Sequence, residues 1–351
     1  MGDSRTRATS RDVAERAGVS RTTVSFVLND VGRANISDET RRRVRQAAED
    51  LGYVPHAAAR ALAGGKTGTL GLLVRPFGII PFDAFLHQLI QGLLEVCLEH
   101  GYRLLVETAA PSPSPESYVR MVRAKQIDGL VILGLYEDDP GLSALIISGY
   151  PVVLLGRHPH QDSRLVLLDE EGGFSKSTTH LAGLGHRRIG FIHFAPLRPL
   201  AGDPRLRGYT RALDAAGLPP IPELVIGGEF SAASGYHAMR HLLSLGQPPT
   251  ALVTGNDTIA IGAISAIHEA GYRVPDDIAV VGFDDIPIAR YAMPPLTTMR
   301  LPADAISRAC GELAIAAIQG DTELARNRSF ESRLIVRHSC GAIPATQPLT
   351  E

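Results

Sequence analysis

Ser20, Arg21, Thr22, Thr23 and Ser25 place five hydrogen-bonding side chains in one short stretch near the start of the chain. Arg21 carries a forked cation that matches the two acceptors on a guanine edge, and Thr22 and Ser25 can reach bases or phosphates. Ser20 and Thr23 suit helix caps as well as phosphate contacts. This is the chemistry of reading a nucleic acid. Bond-breaking chemistry has no comparable set. The paired acids Asp276-Asp277 and Asp284-Asp285 would suit hydrolysis, but the first pair follows Pro275 in an expected exposed loop. Neither a nucleophile elbow nor a zinc-protease helix occurs. His158-Pro-His160 and the scattered His180, His186 and His193 lack a second ligand cluster, which favours surface or core roles over a metal. Gly64-Gly-Lys-Thr67 ends like a phosphate-binding loop, yet position 60 is Arg where that loop needs Gly. No catalytic residue, metal or cofactor is assigned.

The polar stretch must be held by helices. Thr9-Ser-Arg-Asp12 has the spacing of a capping box, Val13, Ala14 and Ala17 form an apolar stripe, and Gly18 stops the helix in a left-handed conformation. Val19 is expected as a buried plug in the turn. Ser20 caps a second helix over about 21–29, with Val24, Val27 and Leu28 facing inward. Two short helices joined by so tight a turn describe a helix-turn-helix, whose second helix enters the major groove with its N-terminal residues foremost. The plain alternative is an ordinary helical hairpin. A third helix runs from the cap Ser37 to Leu51, before Gly52, with Val44, Ala47, Ala48 and Leu51 on one face. Arg41, Arg42, Arg43 and Arg45 lie around its other side, a solvated face that beside a recognition helix can position phosphates.

The charge balance agrees once it is divided. The 351 residues carry a formal −2, which alone argues against a polyanionic partner. Residues 1–66 hold 12 Arg/Lys against eight Asp/Glu, a charge of +4, and the rest holds 23 cations and 29 acids, a charge of −6. A basic head precedes an acidic body. Between them, Pro55 and the Ala-rich 57–63 before Gly64-Gly65 make about eight helix-prone residues, too few for a stable isolated helix in water. They read as a linker or as a helix that folds conditionally.

From residue 67 on, apolar runs at 70–74, 103–106, 130–133 and 152–155 alternate with helical stretches such as 85–100 and 117–125. A second series follows, with strands at 188–193, 224–226, 251–254 and 278–283 and helices at 172–184, 205–216, 231–245 and 257–269. Such alternation predicts two doubly wound parallel sheets, with ligand bound outside the carboxyl ends of the strands. Hydrophobic content of 44% supports sizeable cores. No apolar run reaches the roughly 18 residues of a membrane span. The polar start has no apolar signal core, and Cys97, Cys310 and Cys340 are too widely spaced for a disulfide framework, so a reducing cytoplasm is expected.

Several motifs, taken together, resemble one family. Asp12-Val-Ala-Glu-Arg-Ala-Gly-Val-Ser20 and Thr23-Val-Ser-Phe-Val-Leu-Asn29 are similar to the headpiece of LacI/GalR family transcriptional regulators. The resemblance continues through Ser37-Asp-Glu-Thr-Arg-Arg-Arg-Val44, Leu51-Gly-Tyr-Val-Pro55 and His56-Ala-Ala-Ala-Arg-Ala-Leu-Ala63. Late markers are Gly255-Asn-Asp-Thr-Ile-Ala-Ile-Gly262, Val280-Val-Gly-Phe-Asp-Asp285 and Pro294-Pro-Leu-Thr-Thr298. Phe26 departs from the pattern, standing where members commonly carry Arg, and the loop from Asp30 to Ile36 is slightly longer than in the shortest members.

The resemblance implies an all-α helix-turn-helix headpiece (1–52), a hinge helix or linker (53–66) and an α/β effector domain (67–351) of type I periplasmic-binding-protein-like fold. That domain would have two doubly wound subdomains, about 67–168 plus 300–326 and 169–299 plus 327–351, with crossings near Asp169, Met299 and Arg326. DNA contacts are expected from Thr9, Ser20, Arg21, Thr22, Thr23, Ser25 and Asn29. On folding in the minor groove, the hinge would add a wedging Leu62, with Ala58 and Ala59 allowing close approach. Effector contacts carry over to Arg205, Asn256 and Asp284, whose plain alternatives are a helix cap for Asn256 and a turn residue for Asp284. Phe77, Phe82 or Phe85, near the exit of the first strand, would stack on a sugar ring, with core packing the plain alternative for each; the chain has no Trp, the usual sugar-stacking residue. Arg75 in that loop could meet an acidic or phosphorylated ligand, or equally face solvent. The implied function is a regulator, most simply a repressor, that binds a pseudo-palindromic operator as a homodimer, or as a tetramer, and answers to a sugar. A purine or nucleoside effector, a solute-binding protein with no DNA role, and a sugar-processing enzyme are the alternatives.

Overall fold

The computed structural model of the chain describes residues 8–28, 36–53, 66–74, 84–108, 116–134, 139–160, 163–194, 203–321 and 327–343. Three helices open it: α1 Ser10–Ala17, α2 Arg21–Leu28 and α3 Asp38–Asp50. Thr9 caps α1, accepting from the Asp12 N–H, while the Asp12 carboxylate accepts from the Thr9 N–H at 2.7 Å, so the box closes both ways. Gly18 ends α1 at φ 65°, where a side chain would be strained, and this sets the tight turn into α2. Val13, Val24, Val27 and Val44 are almost wholly buried in a shared core with Ala14, Ala17, Ala47 and Ala48. Each such valine is worth about 1.5–3 kcal/mol of burial. Val19 packs on this core but is only half-buried, less deeply than a plug, because the turn leaves one of its sides to solvent. Arg16 on α1 bonds Asp50 on α3 at 2.7 Å.

The remainder builds two six-stranded sheets. The first has the order β11-β5-β4-β3-β1-β2, formed by β1 Thr69–Val74, β2 Arg103–Thr108, β3 Gly129–Leu133, β4 Val152–Leu155, β5 Arg164–Leu168 and β11 Asn327–Phe330. All its pairings are parallel. The second has the order β12-β10-β9-β8-β6-β7, formed by β6 Ile189–Phe194, β7 Val225–Gly228, β8 Ala251–Thr254, β9 Ala279–Asp284, β10 Thr297–Arg300 and β12 Arg333–Ile335. It is parallel except where β12 runs against β10. Strands buried on both faces need the continuous apolar runs seen in β1, β4 and β8.

The helices that cover the first sheet include α4 Ala84–Glu99, α5 Glu116–Arg123, α6 Pro140–Ile147 and α11 Ala303–Gln319; those of the second include α7 Glu170–Gly183, α8 Pro204–Ala215, α9 Ala232–Leu243 and α10 Asp257–Glu269. Helix α8 lies so close to α7 that a Cβ at Gly208 would press into the Glu171 carbonyl oxygen. That approach fixes α8 against α7. No helix among the described residues is long and apolar enough to cross a membrane.

The chain passes between sheets three times. The first passage follows β5 at Asp169, whose N–H donates to the Phe330 carbonyl at 3.0 Å. The second follows Arg300, the last residue of β10. The third corrects an expectation: it comes after Phe330 and not near Arg326, because β11 pairs in parallel with β5 and so still belongs to the first sheet. Residues 327–330 therefore leave the second half and join the first. Their polar sequence, Asn-Arg-Ser-Phe, forms a half-exposed edge strand with no apolar run to announce it.

Candidate nucleic-acid interface and ligand site

Arg21 and Thr22 stand exposed on the first turn of α2. Ser20 is engaged locally: its hydroxyl accepts from the Thr23 N–H at 3.1 Å and bonds the Thr23 hydroxyl at 2.9 Å. Thr9 likewise uses its hydroxyl in the α1 cap. Both caps leave their helix N-termini at the surface, where backbone N–H groups favour phosphate. Ser25 and Phe26 are half-buried. Arg42, Arg43 and Arg45 lie on the exposed side of α3, opposite buried Val44, Ala47 and Ala48. Asn29, Ala58 and Leu62 fall outside the described residues, as do Arg75, Phe77 and Phe82.

In an open parallel sheet a ligand site forms where the strand order reverses. In the second sheet that point lies between β6 and β8, flanked by β7 and β9. The segments leaving these strands carry Arg205, Phe230, Asn256 and Asp284, so the topology brings the three expected polar residues to one end of one sheet.

Arg205 is 7% exposed. Its Nε and Nη2 donate to the two oxygens of Asp203 at 2.8 and 2.7 Å, and its backbone N–H donates to the same carboxylate at 2.9 Å. Its guanidinium carbon lies 3.7 Å from the centre of the Phe194 ring, and Phe194 stacks on Phe230 with centroids 3.9 Å apart. His193 donates from Nδ1 to the Phe194 carbonyl, and burial lowers its pKa, which favours the neutral ring.

Asn256 is the N-cap of α10, with its side-chain oxygen accepting from the Ile259 N–H at 2.8 Å. Asp257 lies beneath the surface, fully buried. It accepts from the Thr298 hydroxyl at 2.5 Å and from the Ile286 N–H at 2.9 Å, and burial pushes its carboxyl up to about 7. Asp257 thus organises the turn after β9 from below.

Asp284 ends β9 half-buried at φ 106°, a strained conformation for a residue with a side chain. Its neighbour Asp285 takes φ 57° and turns into the protein, bonding Arg300 and Arg337 at 2.6 Å each. The two acids therefore have different roles, a rim residue and an internal clamp. Phe85 is 8% exposed in the main core of the sheets, the packing role that was its plain alternative.

Asp203, Phe194, Phe230 and Asp285 are additions to the expected set. Phe194 and Phe230 obey the strand-exit rule that selects Asn256 and Asp284. Asp285 required knowledge of partners 15 and 52 residues away in sequence.

Residues 9–56 match the family model described as bacterial regulatory proteins, lacI family, and residues 178–340 match a periplasmic binding protein-like domain. The HTH-type transcriptional regulator CelR of Thermobifida fusca is 35% identical over 339 residues, covering 95% of this chain and 99% of its own. A solved complex of a transcriptional regulator CelR with cellobiose matches at TM-score 0.71 and 34% identity, covering 95% of this chain and 100% of that one. The Lac repressor dimer bound to operator and the anti-inducer ONPF matches at TM-score 0.81 and 28% identity, covering 96% of this chain and 100% of that one. With both family models matched in order and a relative aligned along nearly its whole length, the chain belongs to the LacI family of bacterial DNA-binding transcriptional regulators, which are not enzymes.

Proposed function

We propose that this regulator is a repressor that binds a pseudo-palindromic operator as a homodimer and releases or takes up DNA according to a sugar bound between its two α/β halves. Residues 1–52 read the DNA, 53–66 form the hinge, and the remainder binds effector and dimerises. The observation that carries the reading is the exposed Arg21-Thr22 edge on the first turn of α2, in a fold that matches an operator-bound Lac repressor. Thr9, Ser20, Thr23, Ser25 and Asn29 would set its register on phosphates and bases, and Leu62 with Ala58 would kink the central step.

Exposed apolar side chains support a subunit face. Leu94 and Leu98 lie one turn apart on α4 at 42% and 77% exposure, and Tyr291 and Met293 are 74% and 81% exposed. For the effector, Arg205 and Asn256 offer donors, Asp284 accepts, and aromatic rings lie beside them, a mixture suited to the hydroxyls and apolar face of a sugar. Phe77 and Phe82 would close the site from the first half. The CelR–cellobiose complex supports that ligand class. Because DNA and effector act through one conformational equilibrium, each must change the affinity of the other by the same factor.

A thermal-shift screen of cellobiose, other mono- and disaccharides, and nucleosides tests the effector class. At least one sugar should stabilise the protein, and Asp284→Ala should abolish that shift while operator affinity without ligand stays within twofold. Stabilisation by nucleosides alone would replace the sugar reading, and an undiminished sugar shift in Asp284→Ala would remove Asp284 from the site.

A further inference from the structure

The strongest cation at the proposed effector site is already neutralised from within. The edge of a guanidinium that binds carboxylate or phosphate in bidentate fashion is formed by Nε and one Nη. In Arg205 that edge is taken by Asp203, at 2.8 and 2.7 Å. Asp203 also accepts from the backbone N–H of Arg205 at 2.9 Å, in the first turn of α8, where an anion would otherwise be attracted. One face of the guanidinium is covered by Phe194 at 3.7 Å. The pair is buried, with 8% of the Arg205 side chain and 1% of the Asp203 side chain exposed.

We infer that the site takes an uncharged, hydroxyl-bearing ligand and rejects the phosphorylated or carboxylated form of that ligand, with Asp203 as the residue that sets this preference. The inference rests on the reading of Arg205 as an effector contact. A phosphate or carboxylate entering here would meet no uncompensated charge on Arg205. It would add a second anion to a buried pair whose attraction is already satisfied. Among the described residues around the turn after β9, Arg300 and Arg337 are both bonded to Asp285. Among the described residues the Nη1 group of Arg205 has no hydrogen-bond partner, and Asp203 and Phe194 hold it in direction. A single oriented donor group of this kind suits a hydroxyl or ring oxygen. Asp203 is thus a positioning residue, which acts on the ligand through Arg205.

Asp203→Asn tests the inference on the full chain. Asn keeps the helix cap and the shape but removes the charge, leaving a buried cation without its counterion. In calorimetry with inorganic phosphate, the unaltered protein should give no saturable binding that depends on Arg205. Asp203→Asn should bind phosphate at least tenfold more tightly, and the gain should vanish in Asp203→Asn/Arg205→Ala. Glucose 6-phosphate should likewise give the unaltered protein no saturable heat that depends on Arg205. Saturable binding of either anion to the unaltered protein that is lost in Arg205→Ala would overturn the inference, and so would a folded Asp203→Asn with no gain. Should Asp203→Asn not fold, the two anions on the unaltered protein and on Arg205→Ala still decide. Failure of every neutral sugar to bind would count against the sugar reading, and the phosphate titrations would still report on the charge of Arg205.

Discussion

Asp285→Asn should lower the melting temperature of the effector domain by roughly 5 °C at pH 7, the equivalent of about 3 kcal/mol in a domain of this size. The Asp285 side chain is 4% exposed and bonds two guanidiniums, Arg337 at 14% and Arg300 at 41% exposure. Removing the one carboxylate leaves both cations uncompensated, and the estimate is held at the low end for buried pairs because Arg300 is partly screened by solvent. Asn is the informative replacement, because position 285 has φ 57° and Asn tolerates the left-handed region. Asp285→Ala should cost about 1 kcal/mol more through backbone strain. Of the residues that Asp285 holds, Arg300 ends β10 at the second passage between the sheets, and Arg337 follows β12. Calorimetric unfolding of both variants checks the clamp, and a shift of less than about 2 °C in Asp285→Asn would be too small for a buried ionic clamp.

Asp257→Asn should stabilise the protein, and more so at pH 8 than at pH 5. Burial raises the Asp257 carboxyl from an ordinary 3.8 to about 7, against hydrogen bonds from Thr298 and Ile286 that pull it down. The folded state therefore holds this proton over a range in which the unfolded chain has lost it. As pH rises from about 4 to 7 the native state forfeits that advantage, and above about 7 the buried carboxylate is ionised and its full burial cost is present. Asn is neutral throughout, its oxygen still accepts from Ile286, and its amide can donate to the Thr298 hydroxyl. The stability difference between Asp257→Asn and the unaltered protein should grow by roughly 2 kcal/mol from pH 5 to pH 8. Groups common to both proteins cancel in that difference. Denaturant titrations at the two pH values measure it, and a difference independent of pH would mean that Asp257 is not buried as an acid.

The elements of the head were legible because their signals are local. Thr9 with Asp12, Gly18, Ser20 and Ser37 each act within four residues, and Val13, Ala14 and Ala17 or Val44, Ala47 and Ala48 repeat at helical spacing. The parallel strands were legible because burial on both faces demands apolar runs, as in Thr69–Val74 and Ala251–Thr254. Arg164–Leu168 and Thr297–Arg300 were missed among them, and so, at the edges, were Asn327–Phe330 and Arg333–Ile335. The two edge strands are short and partly polar, and their place is fixed by pairing with β5 and β10, which no local pattern records.

The site divides in the same way. The family resemblance carried over Arg205, Asn256 and Asp284, and all three sit at a strand exit or a helix start. The division of labour between Asp284 and Asp285 depends on where Arg300 and Arg337 arrive in space. The Arg205–Asp203 pair spans only one intervening residue, Pro204, so it was within reach of local reasoning: an acid at the cap and a cation two residues on can close on one another.

The central claim is that this chain reads double-stranded DNA through the first turn of α2, as a two-fold dimer. Selection of bound duplexes from a random pool by the full-length protein tests it most directly. The expected product is a near-palindromic sequence with two half-sites, for which Arg21→Ala loses about 10- to 100-fold in affinity per specific contact, or 1–3 kcal/mol. No enrichment over the starting pool, or an enriched duplex bound equally well by Arg21→Ala, would contradict it.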